Sequence, residues 1–247
     1  MTNLLNQQIE LQQYLRLVNL AVGYHGRALI SGLNESVCKG ELIVIVGPNG
    51  AGKTTLLKTL AGILTPVSGE VVLGEGLTLS EISYMPQSPE IETLVPANVS
   101  EIVSMGIVHG RSFPGIIPAG GHQKIQAVLE RLSLEALSKK PFYTLSGGQK
   151  RRALLARALV SNPRILICDE ITTGLDPEAT AEVVASLKKL IGSNEVAIIC
   201  STHNPEHLIS AASKVWEISN GTLNTIELKE SFPRDVKTKN TTKHEPH

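Results

Sequence analysis

The chain has 247 residues, and its 23 lysines and arginines balance its 23 aspartates and glutamates, so the formal net charge is zero. A chain of this length can bury one large core, and we predict one domain with an insertion. A neutral chain has no general attraction for nucleic acid or for an acidic membrane surface, so we expect no nucleic-acid partner.

The sequence lacks an apolar run of the ~18 residues that a membrane-spanning helix needs. Its N-terminus also lacks the basic flank and apolar stretch of a secretory signal, so we expect a cytoplasmic protein. The three cysteines, Cys38, Cys168 and Cys200, are odd in number and far apart in sequence. This favours reduced core thiols over a zinc site or a disulfide framework.

Apolar strand-like runs alternate with amphipathic helical runs, a pattern typical of an α/β domain with a largely parallel sheet. In chain order, we predict a strand at 41–46, a helix at 53–61, a strand at 164–168, a helix at 177–191, a strand at 196–200 and a hairpin at 215–228. The hairpin turns at Asn220-Gly221, which suits a type I′ turn, so the sheet is predicted to be mixed. We place a single domain at 14–229 and flexible tails at 1–13 and 230–247.

Residues 88–143 break this alternation. They contain five prolines and a glycine-rich patch at 115–121, with helical stretches near 99–105 and 123–132. We therefore predict a mostly helical subdomain, at about 88–160, inserted into the α/β core.

The strongest motif is GPNGAGKTT, at residues 47–55 between a predicted buried strand and a helix. Gly47, Gly52, Lys53 and Thr54 fit the P-loop pattern in the strand–loop–helix context that this pattern requires. Backbone N–H groups of such a loop cradle phosphates, the lysine reaches the β- and γ-phosphates, and the hydroxyl can bind Mg²⁺. A kinase, a GTPase and a motor ATPase fit this motif equally well.

A second motif, RILICDE, is an apolar strand that ends in two carboxylates. At the end of a parallel strand beside the P-loop, Asp169 is predicted to hold the Mg²⁺ shell. Glu170 points in a different direction and is predicted to be the base that orients the attacking water.

The sequence LSGGQ at 145–149, followed by the helical run KRRALLARALV, resembles the signature motif of ATP-binding cassette (ABC) ATPases. The resemblance covers nearly the whole chain, residues 15–228, and its motifs occur in the family's order. It implies a P-loop NTPase fold of ABC type.

Four further residues match the family's motifs. Tyr24 lies where the adenine-stacking aromatic is expected, Gln87 resembles the Q-loop glutamine and Asp176 ends a D-loop-like TTGLD. His203 resembles the switch histidine, which would sense the γ-phosphate beside Glu170. Gln87 would couple the magnesium and γ-phosphate to the helical subdomain.

The resemblance also implies a composite site between two subunits arranged head to tail. The signature of one subunit would close over the γ-phosphate held by Lys53 of the other, so that ATP joins the dimer and hydrolysis releases it. The residues implied to bind ATP are Tyr24, Gly47, Pro48, Asn49, Gly50, Ala51, Gly52, Lys53, Thr54, Thr55, Gln87, Ser146, Gly147, Gly148, Gln149 and Asp176. Those implied to act in catalysis are Lys53, Glu170 and His203, and those implied to bind Mg²⁺ are Thr54, Gln87 and Asp169.

Two residues depart from the family's pattern. Ile171 replaces the usual proline after the Asp-Glu pair, and Asn204 replaces the aspartate after the histidine. A proline would pre-set φ in that turn, but neither position supplies a catalytic atom. We therefore expect activity to survive the change at Ile171.

Two classes of ABC protein remain open: a transporter subunit, and a soluble ATPase of the iron–sulfur-assembly type. The spacing between Gly69 and Gln87 and the stretch after Gln87 resemble importer subunits for metal ions or metal chelates. A separate integral membrane subunit would then dock somewhere within 87–105, placing the chain on the inner face of the membrane. An extracytoplasmic solute-binding protein is a further expected partner.

Overall fold

The structure is a computed structural model that describes residues 12–87, 96–107, 117–192 and 196–228. Its strands are β1 (Gln13–Tyr24), β2 (Arg27–Leu33), β3 (Ser36–Cys38), β4 (Leu42–Val46), β5 (Ser68–Leu73), β6 (Ile82–Met85), β7 (Ile165–Cys168), β8 (Ala197–Ser201), β9 (Lys214–Ser219) and β10 (Thr222–Glu227). Its α-helices are α1 (Lys53–Leu60), α2 (Val99–Ser104), α3 (Gly121–Arg131), α4 (Gly147–Leu159), α5 (Pro177–Gly192) and α6 (Glu206–Ile209). Short 3₁₀ turns lie at Leu79–Glu81, Glu135–Leu137 and Phe142–Thr144.

A six-stranded sheet forms the centre of the molecule, in the order β10-β9-β4-β8-β7-β6. Its neighbours pair in parallel except β9 and β10, which form the predicted antiparallel hairpin. Asn220 and Gly221 both have positive φ, of 51° and 75°, as a type I′ turn requires. The mixed sheet predicted from the sequence is therefore confirmed.

The central strands are apolar on both faces because each face is covered, as is typical of parallel sheets. Leu42 and Val44 of β4 pack into the core shared with helices α2 to α5. Ile43 and Ile45 of the same strand pack into a second core with α1 and strands β1 to β3. Successive side chains of β4 therefore point to opposite faces of the central sheet, and each face packs against a different layer of the fold.

A second sheet, antiparallel, covers the α1 face. The long strand β1 pairs with β2, β3 and β5, with bulges that interrupt its register. These strands were not predicted from the sequence. Gln13, the last residue of the predicted tail at 1–13, begins β1 and pairs with Cys38. Residues 1–11 and 229–247, which hold the rest of the predicted tails, lie outside the described residues.

The described part of the insertion is helical, as predicted. Helices α2 and α3 lie within two residues of the predicted stretches, and Ile102 and Leu129 join the same buried core as the central sheet. Residues 88–95 and 108–116 of the insertion lie outside the described residues. Across the described ranges, no helix has the length and apolarity needed to cross a membrane.

All three cysteines are buried and free, which confirms the prediction of reduced core thiols. Cys168 and Cys200 face each other on neighbouring strands β7 and β8. Burial raises the pKa of both thiols, that of Cys200 to about 12. Both therefore stay protonated at neutral pH and pack as small apolar groups.

A buried ion pair joins the two sheets. Lys214 of β9 lies 3.1 Å from Glu41, and both side chains are about one-tenth exposed. The Lys214 ammonium also donates to the carbonyl of Ser36 in β3, at 3.2 Å, and Glu41 accepts the N–H of Cys38 at 2.7 Å. These contacts fix the edge of the central sheet to the antiparallel sheet.

Replacing Lys214 by methionine should destabilise the fold because it leaves the Glu41 carboxylate buried without its cation. We expect a loss of about 3 kcal/mol in the free energy of unfolding, measured by denaturant titration. Adding Glu41→Gln to this variant removes the uncompensated charge and should restore part of the loss. A Lys214→Met variant as stable as the wild type, or a double variant less stable than the single one, would contradict this role.

Candidate active site

The candidate site lies at the carboxyl edge of the central sheet. Four parallel strands, β4, β8, β7 and β6, end at this edge, so the loops that follow them converge there. The P-loop follows β4, the Asp-Glu pair follows β7, His203 follows β8 and Gln87 follows β6. The parallel sheet therefore brings together motifs that are up to 156 residues apart in sequence (203 minus 47).

The conformation of the P-loop requires its glycines. Gly47, Gly50 and Gly52 have φ values of 150°, 77° and 99°, which other residues rarely adopt. A Cβ atom on Gly47 would lie 2.5 Å from the carbonyl oxygen of Ile218 on β9. The loop curls over the sheet edge and leads directly into α1, whose first-turn N–H groups have no partners within the helix.

The Lys53 ammonium lies inside this loop and is held by the loop itself. Its Nζ donates to the carbonyl oxygens of Gly47, at 2.8 Å, and Pro48, at 3.0 Å, and the residue is 6% exposed. These are bonds to neutral acceptors. A phosphate oxygen in the loop would be a stronger acceptor for the same charge.

Asp169 is buried and held by hydrogen bonds at both carboxylate oxygens. The Ser201 hydroxyl donates to Oδ1 at 2.7 Å, and the Tyr84 hydroxyl lies 3.4 Å from Oδ2. Burial and the Asp169 charge raise the pKa of Tyr84, so its hydroxyl remains a donor. The position of the carboxylate is therefore fixed by β6 on one side and β8 on the other.

Glu170 lies at the centre of a polar cluster. Its Oε1 contacts His203 Nε2 at 2.5 Å, and its Oε2 accepts hydrogen bonds from Gln87 Nε2 at 2.5 Å and from Thr173 Oγ1 at 3.0 Å. The backbone N–H of Glu170 donates to Ser201 Oγ at 2.9 Å. The structure thus brings together three residues that the sequence analysis predicted for the site: Gln87, Glu170 and His203.

Glu170 adopts a left-handed backbone conformation, with φ of 50°. Such a conformation costs a non-glycine residue roughly 1–3 kcal/mol and persists where the surrounding contacts determine it. At this turn the two adjacent carboxylates have different partners: Ser201 and Tyr84 for Asp169, and Gln87, Thr173 and His203 for Glu170. The Glu170 side chain is 12% exposed, and that of His203 is 36% exposed.

The signature residues form a helix cap. The Ser146 hydroxyl accepts the N–H of Gln149 at 3.3 Å, and the Gln149 side chain accepts the N–H of Ser146 at 3.2 Å, which is a capping box at the start of α4. A Cβ atom on Gly148 would lie 2.8 Å from that of Ala179 on α5. Within the described ranges, no hydrogen bond joins the signature to the P-loop of the same chain, and Ser146 and Gly147 are exposed.

Tyr24 and Asp176 lie outside the polar cluster around Glu170. Tyr24, at the end of β1, is 46% exposed, and its hydroxyl lies 3.4 Å from Thr55 Oγ1 of α1. Asp176 caps α5, since its Oδ1 accepts the N–H of Ala179 at 2.8 Å. Tyr24 therefore lies beside α1, the helix that follows the P-loop. Asp176 caps α5, the helix that packs against the signature at Gly148.

The two departures from the family's pattern are accommodated locally. Ile171 is fully buried in the core beside α5, so packing fixes the turn where proline would fix φ. The N–H of Asn204 donates to Thr202 Oγ1 at 3.1 Å, which holds the backbone next to His203. Among the described residues, neither side chain forms a hydrogen bond or an ion pair with Asp169 or Glu170.

Three residues of the site were not predicted from the sequence: Ser201, Tyr84 and Arg151. Ser201 could have been found, because it ends the strand beside the Asp-Glu pair, where a hydroxyl can reach both residues. The Arg151 guanidinium donates to the carbonyls of Gln87, at 2.9 Å, and Thr173, at 3.3 Å. No local pattern in the sequence indicates those two contacts.

Replacing Ser201 by alanine should leave the buried Asp169 Oδ1 and the Glu170 N–H each without a partner. We expect a loss of roughly 1–3 kcal/mol in the free energy of unfolding, measured by denaturant titration. Ser186→Ala is the matched control, since Ser186 donates to the carbonyl of Glu182 on an exposed face of α5. If the two variants lost equal stability, Ser201 would not have this role.

Comparison with known families gives one consistent assignment. The family described as ABC transporter matches residues 30–173. The zinc import ATP-binding protein ZnuC 2 of Hahella chejuensis is 35% identical over 185 residues, covering 75% of this chain and 70% of that protein. ZnuC of Haemophilus influenzae is 33% identical over 213 residues, covering 86% and 74%.

Solved structures agree with this assignment. A metal-chelate type ABC transporter in an inward-facing conformation superposes with a TM-score of 0.77 at 29% identity, covering 87% of this chain and 83% of that one. The cbiO1 protein of Clostridium perfringens, part of the ABC transporter complex cbiONQ, gives 0.74 at 30% identity, covering 86% and 87%. The family match runs through the P-loop, the signature and the Asp-Glu pair. The chain therefore belongs to the ABC transporter ATP-binding family and is an ATPase subunit of a transporter.

Proposed function

We propose that this subunit binds Mg-ATP between two head-to-tail copies and uses its hydrolysis to drive import of a metal ion or metal chelate. The observation that carries this proposal is the convergence of Lys53 of the P-loop with the Glu170 cluster at one sheet edge. We further propose that residues 14–229 act as one ATPase domain, since the described helices of the insertion share a core with the central sheet.

In this proposal the P-loop holds the triphosphate and Lys53 exchanges its two carbonyl partners for phosphate oxygens. Backbone N–H groups at the start of α1 supply further donors, and they favour negative charge. Tyr24, at the end of β1, contacts Thr55 of α1 through its hydroxyl, and its exposed ring is available to stack on adenine. Binding therefore relies on groups that the loop already positions.

The donor set fits magnesium. Thr54, Gln87 and Asp169 offer a hydroxyl, an amide and a carboxylate, which are hard oxygen ligands, and Mg²⁺ in such sites keeps several waters and binds substrate phosphates. The described residues hold no group of three or more His, Cys, Asp and Glu side chains suited to a metal ion. A magnesium site completed by phosphates and water requires no such group. When bound, the ion would neutralise charge on the phosphates.

In this proposal Glu170 orients the attacking water. Its carboxylate is partly exposed at the sheet edge, and Gln87, Thr173 and His203 fix its orientation. An oriented carboxylate acts as a base only when it can reach the water. His203 and Gln87, which bond to this carboxylate, are exposed, so water has access to this side of the cluster. His203 would contact the γ-phosphate from its position beside Glu170.

The signature is available for a second copy of the chain. Ser146 and Gly147 are exposed at the N-terminus of α4, where backbone N–H groups and a hydroxyl can meet the γ-phosphate of the partner. Gly148 lets the start of α4 approach Ala179 of α5, so the signature is held against the helix that Asp176 caps. This arrangement supports ATP as the link between the two copies.

The names of the relatives favour metal import. Those reported above are zinc import proteins, and one structural neighbour is a metal-chelate type transporter. A soluble ATPase of the iron–sulfur-assembly type is the alternative, and none of these comparisons favours it. The proposed partners are an integral membrane subunit, which would place the chain on the inner face of the membrane, and an extracytoplasmic solute-binding protein.

Replacing Glu170 by glutamine should leave Mg-ATP binding intact and nearly abolish turnover, because the amide cannot accept a proton from water. Hydrolysis should fall by a factor of roughly 100 or more, measured as phosphate release, and the variant should form an ATP-dependent dimer in size-exclusion chromatography.

Glu130→Gln is the control for this variant, since it removes an exposed carboxylate from α3. It should hydrolyse ATP at the wild-type rate and should not accumulate the dimer. Normal steady-state hydrolysis by the Glu170→Gln variant would overturn the assignment of Glu170 as the base.

A further inference from the structure

Arg151 lies in the second turn of α4, two residues after the signature. Its side chain crosses to the sheet edge, where one guanidinium nitrogen donates to the carbonyl of Gln87 at 2.9 Å and the other to the carbonyl of Thr173 at 3.3 Å. Gln87 follows β6 and Thr173 follows β7. A single side chain therefore joins the loops that follow two neighbouring strands.

The same two residues donate to one oxygen of Glu170. Gln87 Nε2 and Thr173 Oγ1 both bond to Oε2, whereas His203 bonds to Oε1. Gln87 and Thr173 are exposed, so packing does little to fix their side chains. The backbone carbonyls of both are instead held by Arg151.

We propose that Arg151 is a positioning residue for ATP hydrolysis, which holds Gln87 and Thr173 so that both donate to Oε2 of Glu170. The guanidinium suits this task because its planar fork offers donors in fixed directions, whereas a lysine ammonium is a single point of charge on a flexible stem. In this role Arg151 acts on Glu170 through its two carbonyl partners, Gln87 and Thr173. This inference rests on the proposed role of Glu170.

The first test replaces Arg151 by methionine, which keeps the length of the side chain and removes its donors. We expect kcat for Mg-ATP hydrolysis by the 247-residue chain to fall roughly tenfold, because misplaced groups around a catalytic residue lower its effectiveness. The KM for ATP should change less than about twofold, since the P-loop is untouched. Lys150→Met removes the neighbouring charge on the same helix and should leave kcat unchanged.

A double-mutant cycle separates positioning from a general structural effect. Thr173→Val removes one donor to Oε2 and should lower kcat in the wild type. In the Arg151→Met background the same change should have little further effect, because Thr173 is no longer held in place. Independent effects that simply multiply would overturn the proposal.

Arg151→Lys is a second, more conservative variant, which tests the same role if the Arg151→Met variant folds poorly. The lysine can donate to one of the two carbonyls, so kcat should lie between those of the wild type and Arg151→Met, with an unchanged melting temperature. A lysine variant with wild-type kcat, or a loss confined to KM, would contradict positioning through both loops. The Glu170→Gln variant tests the underlying role separately: if it hydrolysed ATP normally, Glu170 would not be the base whatever Arg151 does.

Discussion

The parallel alignment of β4, β8, β7 and β6 is the constraint on which the site depends. It places the ends of four strands at one edge, and the apolar burial of both faces holds that edge in register. Pairing of β7 with β8 puts Ser201 beside Asp169, at 2.7 Å, and beside the Glu170 N–H, at 2.9 Å. A slip of one residue in this pairing would move Ser201 to the opposite face and separate these groups.

The polar side chains at this edge are held by one another and by backbone groups. Asp169 is buried and bonded at both oxygens, and Glu170 is bonded at both oxygens in an otherwise unfavourable backbone conformation. Within the part of the chain that the structure describes, the hydrogen-bond partners of the Lys53 ammonium are neutral carbonyls, those of Gly47 and Pro48. The carboxylates are thus positioned in advance, while the cation remains available to a stronger acceptor.

Much of this arrangement could be predicted from the sequence. The buried parallel strands are continuous apolar runs, and the glycines of the P-loop mark a conformation that other residues rarely adopt. These signals located Lys53, Asp169 and Glu170, and the resemblance to ABC ATPases added Gln87 and His203.

The parts that could not be predicted depend on contacts between distant segments. Strand β1 is bulged and pairs with three partners, so it lacks a regular alternation of apolar and polar residues. Arg151 looks like an ordinary charge on a helix, and only the folded chain places it against Gln87 and Thr173. The burial of Ile171, which replaces a proline, likewise depends on how α5 packs against the sheet edge.

The most direct test of the account is a structure of this chain with Mg²⁺ and a non-hydrolysable ATP analogue. We expect the triphosphate inside the P-loop, with Lys53 Nζ moved from the carbonyls of Gly47 and Pro48 to phosphate oxygens. We also expect Ser146 of a second copy against the γ-phosphate. A nucleotide bound elsewhere, with Lys53 still bonded to those carbonyls, would contradict it.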